Sequence, residues 1–270
     1  MRSITVWQCV VGAWRHTFRL IAEMPLLCSV TFVLMWAAMF VEYKLRLTVP
    51  ANLPFGIFGL RVLNSVIERL SSIPALIIAI PAMRRILRAR FSDLPGSTAE
   101  DYLRYFVLWI LMLLFGYTLL AVIPLAAAIG RSAGMDGSVE TAFIHTITLL
   151  LRIFLAYVTA RSALLFPHIA SGGKIEWRLA WRDTYGHFIA IAFIYGAAST
   201  LPTYIVENTI IQYISSTRMD FFLVFPVRAG IKFILNLCGV CALAWIYLKF
   251  ANDVQRLAER NSREVYLEAR

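Results

Sequence analysis

Charged side chains are scarce in this sequence. Lys, Arg, Asp and Glu make up 16% of the 270 residues, against about a quarter in an ordinary soluble domain. Apolar residues make up 60%, and the mean hydropathy is +0.70. Several apolar runs reach the roughly 18 uncharged residues that a membrane-crossing helix needs. This composition argues against a soluble enzyme and predicts an all-α, polytopic transmembrane helix bundle.

The chain also lacks the motifs of the common catalytic and metal sites. It has no HExxH motif, no Cys/His cluster, no glycine-rich phosphate loop and no GxSxG motif. Its acidic residues are scattered singly apart from Glu100 and Asp101, so no carboxylate pair is evident for acid–base chemistry. We therefore expect a protein that is not an enzyme and that uses no cofactor and no metal ion.

Cysteine is rare, with four residues in apolar or amphipathic segments. Their positions do not predict a disulfide framework. Cys238 and Cys241 form a CxxC pair inside an apolar helix without His or acidic neighbours. We interpret them as small packing residues rather than as a redox or metal site.

What the chain does contain is a series of six apolar segments. The predicted spans are residues 24–41, 62–83, 105–129, 141–166, 188–206 and 229–250. Together they form a single transmembrane domain, 1–250, followed by a charged cytoplasmic tail, 251–270. The second span is interrupted by Glu68 and Arg69 and contains two prolines, so a re-entrant or tilted segment is the alternative.

A break precedes the third span. The segment SDLPGSTAED contains proline and glycine, which interrupt helices. Ser97 and Glu100 fit a capping box, in which each side chain bonds the backbone N–H of the other residue. We predict that this box opens the helix of the third span.

An amphipathic helix over residues 3–23 precedes the first span. Its apolar stripe recurs at spacings of three and four and consists of Ile4, Trp7, Val11, Trp14, Phe18 and Ile21. Arg15, His16 and Arg19 lie off this stripe. A basic, aromatic-rich helix of this kind suits the membrane interface, and packing against the bundle is the alternative.

The basic residues are distributed unevenly along the chain. The net charge is +10, and of the 26 Lys and Arg residues sixteen fall on one set of inter-span segments and six on the opposite set. Cytoplasmic segments of membrane proteins carry the excess of Lys and Arg, so we predict that both termini are cytoplasmic. The expected partners of this basic surface are anionic lipid headgroups rather than nucleic acid.

The fourth span carries a polar stripe. At 100° per residue, one sector of about 60° collects Thr141, His145, Thr148, Arg152 and Thr159. Arg152 lies about 15 Å deep, and a charge facing lipid there costs at least about 2.5–3.5 kcal/mol. Glu68 is the favoured partner, with Glu207 and Asn236 as alternatives. The stripe predicts either a polar cavity that binds an anion or a buried ion pair that fixes helix packing.

A second group of polar and aromatic residues is predicted at the inner membrane surface. Trp14 and Arg15 belong to the amphipathic helix. Arg161, Trp181 and Arg182 flank the connection between the fourth and fifth spans. Arg161 is close enough to the surface for its long side chain to reach the headgroups.

This connection carries a resemblance to known membrane proteins. Arg161, Leu164 and Pro167 fit an Arg-x-x-Leu-x-x-Pro exit from one span, and a Trp-x-x-Thr-x-Gly-x-Phe segment follows at Trp181, Thr184, Gly186 and Phe188. The pattern resembles a bacterial family of uncharacterised six-span inner-membrane proteins. It is also similar to the membrane portion found ahead of some glycerophosphodiester phosphodiesterases. The resemblance implies a bacterial inner membrane and a lipid or envelope context, and we expect no phosphodiesterase domain here.

These observations favour a non-enzymatic function. We expect a lipid-associated binding or scaffold component of the cell envelope or of a membrane complex, with a partner membrane protein or a second copy of the chain as candidates for association. A small-solute or anion transporter that uses the Arg152 stripe is the alternative. An intramembrane enzyme would require a carboxylate and a histidine to converge, such as Glu68 with His145.

Overall fold

The structure is a computed structural model, which describes residues 5–48, 71–88, 91, 94, 97–134, 136–206, 208–209 and 221–252. These residues form helices joined by turns and contain no strand, so the predicted all-α class is confirmed. Within the described ranges, five stretches of helix are long and apolar enough to cross a membrane. The protein is therefore a multi-pass membrane helix bundle.

The helices follow one another in a simple order. They are α1 (Val6–Glu23), α2 (Pro25–Thr48), α3 (Ala75–Leu87), α4 (Ala99–Ser132), α5 (Gly137–Ser162), α6 (Leu165–Ala170), α7 (Trp177–Asp183), α8 (Phe188–Tyr195) and α9 (Phe221–Phe250). Helix α8 continues through a π-helical turn, Gly196–Thr200, into helical residues 201–206. Five of the six predicted spans therefore overlap helices of membrane-crossing length.

The second predicted span, 62–83, lies only partly within the described residues. Residues 71–74 form a turn, and α3 then runs for 13 residues. At 1.5 Å per residue α3 is about 20 Å long, which is shorter than the roughly 30 Å apolar layer of a bilayer. Glu68 and Arg69 lie outside the described residues, and a complete crossing of the membrane by this segment stays a prediction.

Helix α1 packs on the bundle through a face of mainly small side chains, together with the half-buried Trp14 and Ile21 of the predicted stripe. The buried face includes Cys9, Gly12 and Ala13, whereas Trp7 and Phe18 on the predicted apolar stripe are exposed. The face that meets the bundle is therefore the one that allows close approach. Placement of the exposed stripe in the membrane interface stays a prediction.

The tightest contact of α1 is with α9. A Cβ atom on Gly12 would lie 2.5 Å from Cε2 of Trp245. The His16 ring meets the same indole edge-on, with ring centroids 5.5 Å apart. Only a residue without a side chain leaves room for the indole at this helix crossing.

The capping box of α4 lies one residue further along than the sequence predicts. Thr98 rather than Ser97 is the N-cap residue, and its Oγ1 accepts a hydrogen bond from the Asp101 backbone at 3.3 Å. In return, the Thr98 N–H donates to Asp101 Oδ2 at 3.0 Å. Glu100 instead forms an ion pair with Arg104 on the outside of the helix. The two acidic side chains therefore differ in environment, since Asp101 is buried and Glu100 is exposed.

The Arg84–Asp101 ion pair connects three helices. Arg84 of α3 donates from Nη2 to Asp101 Oδ2 at 2.9 Å and from Nε to the carbonyl of Ala170, at the end of α6, at 2.5 Å. Both charged side chains are almost completely buried. The ends of α3, α4 and α6 therefore meet at one buried ion pair.

The hydrophobic core lies around α9, which contacts α1, α2, α3, α6 and α8. Cys238 and Cys241 are fully buried in this core and are free thiols, as expected for packing residues. Helices α4 and α5 form a hairpin whose main neighbours are each other, α6 and α8. This hairpin therefore stands away from part of the core.

Candidate functional site

A cavity of about 720 Å³ lies where the α4–α5 hairpin stands away from the core. Its walls come from α3, α4, α5, α6, α8 and α9, and this volume is in the range of small-molecule sites. Many lining residues are alanine or glycine, and their missing side-chain volume leaves the space. These residues are Ala75, Ala79, Gly116, Ala156, Ala160, Ala163, Ala192, Gly196 and Gly239.

Most of the remaining wall is apolar or aromatic, with a few polar groups between. The lining residues with polar side-chain atoms are Ser72, Tyr105, Trp109, Tyr117, Arg152, Thr159, Tyr195, Thr200 and Asn236. Arg152 is the charged side chain among the described lining residues. The cavity therefore combines a large apolar volume with a single positive charge.

Arg152 lies far from both ends of its helix. It is fifteen residues after the start of α5 and ten before its end, which correspond to about 22 Å and 15 Å along the helix axis. The side chain is exposed and forms no hydrogen bond or ion pair with any described residue. The favoured partner of the sequence analysis, Glu68, and the alternative Glu207 lie outside the described residues.

Asn236 on α9 faces the same cavity. Its Nδ2 atom is buried and has no hydrogen-bond partner within the described part of the chain. An unpaired buried amide N–H costs roughly 1–3 kcal/mol, so a polar atom placed in the cavity would relieve it. Arg152 and Asn236 thus offer N–H donors from two different walls.

The π-helical turn shapes the third wall. π-turns insert one residue into an α-helix and are frequent at functional sites. Here Ser199 bonds from Oγ to the carbonyl of Leu235 at 3.2 Å, which holds the turn against α9. Tyr195, Gly196 and Thr200 line the cavity from the same turn.

Only part of the predicted polar stripe of α5 lines the cavity. Arg152 and Thr159 line the cavity, whereas Thr141, His145 and Thr148 do not. The Thr148 hydroxyl bonds back to the carbonyl of its own helix, at Ile144, with a distance of 2.7 Å. Only the half of the stripe that faces the core therefore contributes to the site.

The residues predicted at the membrane surface have different environments. Arg15, Trp181 and Arg182 are exposed and Trp14 is half-buried, as interfacial side chains can be. Arg161, in contrast, is buried and does not extend into the surroundings of the protein. Its guanidinium is surrounded by aromatic rings.

Ion pairs join α1 to α3 at the basic end of the bundle. Glu23 pairs with Arg19 at 2.6 Å and with Arg85 at 2.8 Å. Hydrogen bonds from the two guanidiniums hold the pKa of the Glu23 carboxyl below its usual value, and the bond from Arg85 has the larger effect. The side chains are largely exposed, so we attribute little stability to them.

The aromatic and amide groups of the cavity could not be found from the sequence as a group. They lie on four helices, α4, α6, α8 and α9, and no spacing along the chain connects them.

Among the described residues, no group of three or more His, Cys, Asp or Glu side chains converges in a way that would hold a metal ion. Comparison of the chain with protein-family models, with curated proteins and with solved structures finds no match.

Proposed function

We propose that this protein is a non-enzymatic membrane protein that binds an anionic amphiphile, a lipid-like molecule with a carboxylate or phosphate group, in the cavity beside Arg152. One observation carries the proposal: the guanidinium of Arg152, which is exposed and has no partner among the described residues, opens about halfway along α5 into a large, mainly apolar cavity. The apolar walls accept a hydrocarbon chain, and Arg152 compensates the charge of the headgroup.

A guanidinium that faces hydrocarbon at mid-membrane costs at least about 2.5–3.5 kcal/mol. Intramembrane charges therefore face a partner or a water-filled cavity, and no described residue pairs with Arg152. An anionic ligand removes this cost and gains a charge-assisted hydrogen bond.

The walls favour a ligand with a long apolar part over a small hydrated anion. Leu76, Met112, Leu155 and Leu243 line the cavity together with its small residues and offer dispersion contacts to a hydrocarbon chain. The side chains of Arg152, Ala156 and Thr159 on the α5 wall are exposed, so the cavity is open along this helix. We infer that a lipid-like ligand enters there from the membrane.

The cellular setting is part of the proposal. We place the protein in a bacterial inner membrane with cytoplasmic termini, as the excess of Lys and Arg on one set of inter-span segments indicates. Contacts among the basic segments support this sidedness, because Arg84 reaches the end of α6 and Arg85 reaches α1. Anionic headgroups are the expected neighbours of that surface.

Ligand-dependent stabilisation of the purified full-length protein tests the binding site. In a neutral detergent, oleate or dodecyl phosphate should raise the melting temperature, whereas oleyl alcohol and dodecanol should do so much less. Loss of a charge-assisted hydrogen bond of about 1.5–3 kcal/mol predicts about 10- to 100-fold weaker binding in Arg152→Gln. The control Arg178→Gln removes an exposed charge outside the cavity and should bind normally.

A second variant tests the cavity without touching the charge. Ala156→Trp places an indole in the space that the apolar chain would occupy and leaves Arg152 in place. We expect it to weaken binding of both anionic probes. Equal stabilisation of the wild type by charged and neutral probes, or unchanged binding in Arg152→Gln, would refute the proposal.

Transport of such an anion is the second candidate function, and the depth of Arg152 favours it. A cationic group about halfway along a spanning helix suits a site reached from both sides in turn. The four native cysteines are buried, so a cysteine in place of Thr159 on the cavity wall gives a clean reporter. Labelling of Thr159→Cys by water-soluble thiol reagents from both membrane faces supports transport, and labelling from neither face contradicts it.

A further inference from the structure

A second arginine of α5 lies in an aromatic cage at the end of the helix. The guanidinium carbon of Arg161 is 5.2 Å from the ring centroid of Trp181, 5.6 Å from that of Tyr157 and 5.7 Å from that of Tyr185. The residue is only 7% exposed. We call these four residues the Arg161 cage.

The rings of the cage make cation–π contacts with the Arg161 guanidinium but leave its N–H groups without hydrogen-bond acceptors among the described residues. Rings attract a guanidinium through the negative charge above their planes, whereas its five N–H donors point outwards in its own plane. The Nε atom of Arg161 is fully buried without a hydrogen-bond partner, and no described residue forms an ion pair or a hydrogen bond with the group. A buried charge in this state lacks the counter-charge and acceptors that usually accompany it.

The segment beside the cage carries Lys174, Arg178 and Arg182 against Glu176 and Asp183, a small excess of basic side chains. Lys174 and Arg178 are exposed on the segment that leads into and forms α7. Trp181 and Tyr185 belong to the cage and are themselves partly exposed, so the cage lies at the surface of the protein. Aromatic and basic side chains together are typical of the headgroup level of a membrane.

We propose that the Arg161 cage binds a phosphate oxyanion, either in the headgroup of an anionic phospholipid or as free phosphate. The planar fork of arginine matches two phosphate oxygens, which a lysine ammonium cannot do. The rings hold the guanidinium in one orientation, so little side-chain freedom is lost on binding. This site is separate from the Arg152 cavity, whose lining includes none of the four cage residues.

The test measures binding by the purified full-length protein in neutral detergent. Thermal unfolding and native mass spectrometry are recorded with added phosphatidylglycerol, with the uncharged lipid diacylglycerol and with inorganic phosphate. We expect phosphatidylglycerol to stabilise the wild type and diacylglycerol not to do so. Arg161→Gln should weaken this binding at least about tenfold, because both oxygen contacts are lost.

Two matched variants separate this site from general charge effects and from the cavity. Arg178→Gln removes one exposed positive charge from the same surface, and Arg152→Gln removes the cavity charge. Arg178→Gln should bind phosphatidylglycerol as the wild type does. Arg152→Gln can lose whatever binding the cavity contributes, and the share of binding that depends on Arg161 should remain. Arg161→Lys keeps the charge but loses the planar fork, so it should fold and bind several-fold more weakly even if Arg161→Gln does not fold.

Each outcome decides between sources or against the proposal. Stabilisation by phosphatidylglycerol alone that depends on Arg161 assigns the site to a lipid headgroup. Equal stabilisation by inorganic phosphate, again dependent on Arg161, assigns it to free phosphate. The proposal is overturned if neither compound stabilises the wild type, if Arg161→Lys binds as the wild type does, or if phosphatidylglycerol binding is lost in Arg152→Gln and unchanged in Arg161→Gln.

Discussion

Removal of the buried Arg84–Asp101 ion pair should strongly destabilise the end of the bundle where α3, α4 and α6 meet. The two side chains are 5% and 7% exposed and are 2.9 Å apart, so solvent screens them little. In Arg84→Met the Asp101 carboxylate keeps only its capping bond from Thr98, and the Ala170 carbonyl loses its donor. Breaking a buried pair on one side costs about 3–5 kcal/mol, and we expect a loss of this size.

The assay is equilibrium unfolding of the purified protein in detergent, followed by circular dichroism. A matched control is Arg104→Met, because Arg104 pairs with Glu100 on the exposed side of α4. Exposed pairs at this helical spacing contribute about 0.3–0.5 kcal/mol. The same chemical change should therefore be several-fold more damaging at residue 84 than at residue 104.

A double variant distinguishes the cost of an unpaired buried charge from the cost of lost side-chain packing. Arg84→Met combined with Asp101→Leu leaves no buried charge, and apolar replacement of both partners is often close to neutral. We expect most of the stability to return, apart from about 1 kcal/mol for the hydrogen bond from the Thr98 N–H to the Asp101 carboxylate. If Arg84→Met costs no more than Arg104→Met, or if the double variant is worse than either single change, the reasoning is wrong.

Glycine substitutions test two close contacts, each through thermal unfolding of the variant. In Gly12→Ala the new methyl group meets the Trp245 indole, and overpacking of about 1–3 kcal/mol should outweigh the gain of about 1 kcal/mol in helix propensity. In Gly173→Ala it meets the His168 ring under the loop after α6, and we expect a similar loss without any helix-propensity gain. Gly137→Ala is the control, because no atom lies within 4 Å of its new methyl group, and a loss as large as at Gly12 or Gly173 would contradict this account.

The fold class could be predicted because hydropathy is a property of contiguous sequence. The helix α4 contains a long uncharged stretch, and a helix satisfies the backbone groups of such a stretch within the segment itself. Its start was predicted less well. Ser97 and Thr98 fit the capping pattern equally, and only the burial of Asp101 by Arg84 decides between them.

The candidate site could be predicted only in part. Helical spacing placed Arg152 and Thr159 on one face, and both line the cavity. The same spacing included His145, which lies outside it, because a helical stripe carries no information about where the neighbouring helix ends. Asn236 entered the sequence analysis only as one candidate partner of Arg152, and its position across the cavity depends on how α5 packs relative to α9.

Arg152 and Arg161 show why a charge in an apolar segment cannot be interpreted from depth alone. The two residues are nine positions apart on α5, and depth predicts that the deeper one should be enclosed and the shallower one exposed. The structure has the reverse, because the α4–α5 hairpin leaves space beside Arg152, whereas α7 folds its Trp181 ring over Arg161. One charge therefore faces a cavity that a ligand can fill, and the other faces rings that leave its N–H groups unpaired. Both arrangements leave a guanidinium without a protein counter-charge among the described residues. This is the physical reason to test for bound anions at Arg152, about halfway along α5, and at Arg161, near its end.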